Sequence, residues 1–61
     1  MKLRDLEKHL NDNGCQFLRE GGRHSWWINV EQNRRTAVPR HREINDKLVL
    51  KICKDLGIPK P

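Results

Sequence analysis

The sequence has no long apolar run, no closely paired cysteines, fewer acids than bases and few aromatic residues. Each lack narrows what it can be. The opening MKLRDLEKHL alternates charge with leucine, so neither a signal peptide nor a membrane span is expected, and the expected setting is the cytoplasm. Cys15 and Cys53 stand far apart, with no CxxC and no histidine at ligand spacing. That leaves no basis for a structural zinc site, and no cofactor is expected. A disulfide between them would need an oxidising compartment; the two read instead as small buried thiols. Repeats, linkers and low-complexity segments are missing too, so residues 1–61 read as a single domain. A chain this short buries only roughly 60% of the surface its unfolded form exposes, which makes its stability modest.

The shortage of acid relative to base is the more informative lack. Thirteen Lys and Arg face eight Asp and Glu, a formal charge of +5. Such an excess favours polyanions, chiefly nucleic acid, with binding that falls as salt rises; it also favours plain solubility. Distribution separates the two readings. The stretch RRTAVPRHR carries Arg34, Arg35, Arg40, His41 and Arg42 with no acid among them, whereas a solvated face mixes its signs. Arginine clusters suit phosphate because the guanidinium fork matches phosphate oxygens. These residues and Arg23 are the candidate RNA contacts.

What is present falls into five elements. Leu3, Leu6 and Leu10 recur at helical spacing and Asn13-Gly14 stops the helix, with His9 on the flank of the stripe as an ordinary surface histidine. Cys15, Phe17 and Arg19 alternate with Gln16, Leu18 and Glu20 in a first strand, and Gly21-Gly22 turns the chain. A second strand runs from His24 to Val30. Asn33 lies in a polar connection where it can take a left-handed conformation, and a third strand from about Arg34 to Val38 stops at Pro39. Asn45 caps a second helix whose stripe is Leu48, Val49, Ile52, Cys53 and Leu56, closed by Gly57. The fold class is therefore α+β, a small α-β-β-β-α domain. Its three-stranded antiparallel sheet carries both helices on one face and leaves the other open.

With so few aromatics, the pairing of both tryptophans directly after Gly-Gly-Arg-His calls for explanation. The period of two puts His24, Trp26 and Ile28 on one side of the second strand and Ser25, Trp27 and Asn29 on the other. One tryptophan packs in the core. Its neighbour faces outward, for cross-strand packing, base stacking or a partner contact. Spacing does not say which is which. His24 opens the strand where the backbone is exposed and Arg23 is adjacent. An imidazole there is suited to moving the proton of a ribose 2′-OH or of a leaving 5′-oxygen near neutral pH. Arg23, with Arg40 or Arg42, could stabilise charge on phosphorus, and His41 is a candidate second acid–base group. A lone histidine beside an arginine is also a common bystander.

GGRHSWWINV, then AVPRH, then KICKDLGIP, in that order, resemble the HicA family of bacterial mRNA-interferase toxins, type II toxin–antitoxin proteins. The resemblance runs from Leu3 to Pro59. It implies an α-β-β-β-α fold similar to double-stranded RNA-binding domains and an endoribonuclease that cleaves mRNA. It also implies a HicB-type antitoxin that covers the active site. The family's essential histidine falls on His24 and its Val-Pro-Arg-His on Val38, Pro39, Arg40 and His41; where Ser commonly precedes the histidine, this chain has Arg23. Antitoxin contacts are then expected at Arg23, His24 and the outward member of Trp26 and Trp27. The free toxin is expected as a monomer and its complex as a larger assembly.

Two rival readings compete with this one. A non-catalytic RNA-binding module of the same shape would read phosphates and 2′-OH groups and have no need of His24. A helix-turn-helix DNA binder needs two helices joined by a short turn, and here some thirty residues of strand pattern intervene.

Overall fold

The leucine stripe and the glycine and proline stops act where their spacing places them. A computed structural model describes all residues, Met1 to Pro61. Its elements are helix α1 (Leu3–Asp12), strands β1 (Cys15–Gly21), β2 (His24–Asn29) and β3 (Arg34–Pro39), and helix α2 (Asp46–Leu56). The strands form one antiparallel sheet with β2 in the centre. No helix is long and apolar enough to cross a membrane.

Leu6 and Leu10 of α1 are fully buried, and Val49, Ile52, Cys53 and Leu56 of α2 join them in one cluster with Cys15, Trp27 and Val38 of the sheet. Truncating such a leucine to alanine costs about 2–5 kcal/mol, a large share of what so small a domain has. Both helices therefore lie over one sheet face. The other face, with His24, Trp26 and Ile28, is left without a helix.

Local chemistry fixes the ends of α2. The Asn45 side chain accepts from the Lys47 N–H at 2.7 Å, an N-cap. At the other end Gly57 takes φ +70°, and its N–H and that of Ile58 return to the Lys54 and Cys53 carbonyls at 3.1 and 3.0 Å, a Schellman closure. Three side chains from the sheet side donate to the last carbonyls: Asn29 to Leu56 at 2.8 Å, Gln32 to Gly57 at 2.9 Å and Arg34 to Lys54 at 3.3 Å. Groups that a helix end leaves orphaned are thus satisfied by the β2–β3 hairpin. Thr36 adds a hydroxyl donated to Asp55 at 3.2 Å.

His9 does more than sit on a surface. Its Nε2 is 2.7 Å from the Pro59 carbonyl. A carbonyl only accepts, so Nε2 carries the proton, and the side chain ties the C-terminal segment to α1. The N-terminal segment is tied as well, through Ile44 N–H to the Met1 carbonyl at 2.7 Å and Leu3 N–H to the Arg42 carbonyl at 2.9 Å. The loop after β3 is thereby anchored at its far end.

One expectation fails in β1. Strict alternation would keep Arg19 with Cys15 and Phe17, under the helices. Instead Phe17 pairs with Trp27 and Arg19 with Trp26, so the register shifts by one residue at Leu18. This β-bulge sends Arg19 to the open face and Glu20 to the helix face. The second strand also ends one residue earlier than alternation suggested, at Asn29; Val30 is exposed in the turn. Asn33 does adopt the left-handed conformation, at φ +54°.

Candidate active site on the open sheet face

The paired glycines do two different jobs. Gly21 pairs with His24, so the β1–β2 connection is the two residues Gly22 and Arg23, with positive φ (+64°) at Gly22 alone. That is the pattern of a type II′ hairpin turn, which needs glycine at its first position. Gly21 has no such backbone demand. It is small because the indole of Trp26 lies over it: an ideal Cβ at residue 21 would fall 2.5 Å from Trp26 Nε1 and 2.6 Å from Cδ1.

The register also settles the tryptophans. Trp27 is 4% exposed, in the core, with Phe17 edge-on to it at 6.1 Å between ring centroids. Its Nε1 is buried without a hydrogen-bond partner. Trp26 is the outward one, half-buried on the same face as His24. Around it on that face stand Gln16, Arg19 and Gly21 of β1, His24 and Ile28 of β2, and Arg35 and Ala37 of β3. None is an acid.

His24 is exposed, in the first position of the central strand, between Gly21 on one side and Pro39 on the other. Neither neighbour has a side chain long enough to screen the imidazole. Arg23 is next to it at the turn. Arg40, one residue past β3, reaches back to the same turn: Nη1 donates to Glu20 Oε2 at 2.5 Å and Nη2 donates to the Gly22 carbonyl. Glu20 is in turn held by the Ser25 hydroxyl at 3.1 Å. The Arg40 guanidinium thus clamps the turn that carries Arg23 and His24.

The other candidate cations are spread over the domain. Arg35 shares the open face with His24, opposite Ile28, whereas Arg34 points to the helix side and donates to Lys54. His41 and Arg42 are exposed in the loop after β3. His41 is two residues beyond Pro39, which places it within about 7 Å of that cross-strand partner of His24, Cα to Cα. Arg19 is the site residue that sequence reading missed. Nothing in Phe17-Leu18-Arg19 marks a bulge, and only the pairing of Arg19 with Trp26 shows it.

The surface at His24 is flat. The three concavities of the molecule lie elsewhere, along α1 beside Arg42 and around the start of α2. Nowhere do three His, Cys, Asp or Glu side chains gather as metal donors. Burial pushes the Cys15 and Cys53 thiols up from their ordinary value, with the neighbouring Cys53 adding to the effect on Cys15. Both are free and enclosed, so neither is a nucleophile at neutral pH. The one imidazole on this face is that of His24.

No curated protein and no solved structure matches the chain. A family model does, that of the HicA toxin of bacterial toxin–antitoxin systems, over residues 3–58. The match takes in every strand and both helices, the glycine turn and the Arg40 clamp. The chain belongs to the HicA toxin family, and is a toxin of a toxin–antitoxin system.

Proposed function

We propose that the chain is a metal-independent endoribonuclease that cleaves mRNA in the cytoplasm, with His24 as its acid–base group. A HicB-type antitoxin silences it by covering that histidine. The observation that carries this reading is the placement of His24: exposed on an acid-free, flat sheet face, beside Arg23, at a turn that Arg40 holds. A flat face suits a polymer substrate, whose backbone can lie across it, better than a small molecule, which needs enclosure.

The chemistry follows from what the residues can do. In the transesterification route the ribose 2′-oxygen attacks the adjacent phosphorus, its proton is removed, and the bond from phosphorus to the 5′-oxygen of the next nucleotide breaks. The product upstream ends in a 2′,3′-cyclic phosphate and the downstream one in a 5′-hydroxyl. Neutral imidazole takes the 2′-proton, or its protonated form supplies one to the leaving oxygen. Arg23, free of the clamp that engages Arg40, is the residue to stabilise the extra charge on phosphorus. His41, close behind Pro39, is the candidate for the second proton.

Purified protein tests this directly. Cleavage of an RNA should continue in EDTA and leave a cyclic or 3′-phosphate on the upstream fragment. Activity that disappears in EDTA and returns with magnesium overturns the proposed chemistry.

A further inference from the structure

Proton transfer at His24 makes no use of the most conspicuous group on the open face, the indole of Trp26. Three features of its surroundings bear on what it meets. Gly21 has no side chain and Ala37, its partner on β3, has one carbon, so neither covers the indole. Arg19 lies directly across on β1, and Arg35 is two residues from Ala37 on β3. The face holds no acid; the nearest, Glu20, is turned to the helix side and held by Arg40 and Ser25. An aromatic plane flanked by arginines and without acids fits a nucleobase with its phosphates, and fits poorly an apolar partner helix.

We propose that Trp26 is a stacking platform for one base of single-stranded RNA, held beside the phosphate that His24 acts on, with Arg19 and Arg35 on the backbone either side. His24 and Trp26 are two residues apart on one strand, about 7 Å along it. A base on the indole therefore belongs to a nucleotide close to the reacting phosphate. The platform takes a single strand because a duplex keeps its bases stacked on one another and offers no free face. This inference rests on the open face being the RNA surface, as in the function proposed above.

The test keeps binding apart from cleavage by using a short single-stranded oligodeoxynucleotide, which has no 2′-OH, and its blunt duplex, titrated against the whole chain. Tryptophan fluorescence reads Trp26 directly, since the buried Trp27 supplies a constant background, and the anisotropy of a labelled oligonucleotide reads binding by the variants that lack Trp26. The single strand should quench it and bind more tightly than the duplex. Trp26→Leu should weaken single-strand binding roughly 5- to 150-fold. Trp26→Phe, which keeps an aromatic face, should recover most of it. Equal binding by Trp26→Leu and the parent overturns the proposal, as does preference for the duplex. A Trp26→Leu chain that keeps oligonucleotide binding but loses its antitoxin, or loses self-association, assigns the face to protein contact and also overturns it. His24-dependent RNA cleavage that survives alongside unchanged Trp26→Leu binding would sink the platform alone. Trp26-dependent binding without RNA cleavage would sink the nuclease reading alone.

Discussion

Gly21 lies beneath the indole of Trp26, and a single added methyl would meet it at 2.5 Å. The glycine is there for the side chain two strand positions past its partner, not for its own backbone. Gly21→Ala should therefore cost about 1–3 kcal/mol as overpacking and push the indole off its seat. Gly22→Ala should cost about 1–2 kcal/mol for another reason, its positive φ. The two are separable. Gly22→Asn should cost about as much as Gly22→Ala, because the first position of this turn needs glycine, whereas Gly21→Asn should be worse than Gly21→Ala. Thermal melts with tryptophan emission on the four variants check this.

Arg40 holds the turn that carries Arg23 and His24, with its guanidinium bonded to Glu20 and to the Gly22 carbonyl. Its ion pair with Glu20 is about half exposed at both ends, so its worth to stability is below about 1 kcal/mol. Its worth to activity should be greater, since it fixes the carbonyl of Gly22 beside Arg23. Arg40→Ala should leave the melting temperature within a few degrees of the parent while kcat falls and KM changes little. Arg40→Lys, able to make one contact but not the fork, should recover only part of kcat. A loss confined to KM would mean that Arg40 binds RNA instead.

Much of this was legible in the sequence because the punctuation is strong. Asn45, Gly57, Gly21-Gly22 and Pro39 each mark an end that local chemistry enforces, and the leucine stripes can be buried on only one face. The identity of the outward tryptophan was not legible. It depends on which side of β2 the helices cover, and both sides carry an indole. Arg19 was hidden by the bulge at Leu18, which breaks the period of two without a glycine to announce it. The split between Arg34 and Arg35 follows from the period of two once the covered face is known; before that they are one basic pair.

Acid should weaken the fold through Asp55. Its hydrogen bond from Lys51 is the largest effect and holds the carboxyl below its ordinary value of 3.8; burial, next in size, opposes it, and the hydrogen bond from Thr36 adds to the lowering. A folded value below the unfolded one means stability that is full above the unfolded value and lost as pH falls through the folded one. The buried thiols act at the other end. Their folded values are raised above 9.0, so their contribution is full below that pH and lost as pH rises past it. Melting temperature should fall on both sides of neutrality, with the paired Glu43 carboxyl, lowered from 4.5, adding to the acid limb and the Met1 ammonium, raised from 8.0 by Glu43, adding to the alkaline one. Asp55→Asn should lessen the acid limb, and Cys53→Ala the alkaline one.

The most direct measurement compares the rate of RNA cleavage by the purified parent and by His24→Ala, with circular dichroism on both. His24 is exposed and makes no hydrogen bond that the fold needs, so the variant should fold as the parent does. Loss of a proton-transferring imidazole should lower the rate by about 10²–10⁴-fold and abolish growth arrest on expression. A folded His24→Ala chain that still cleaves RNA at the parent rate, or still arrests growth at equal expression, contradicts the catalytic role of His24.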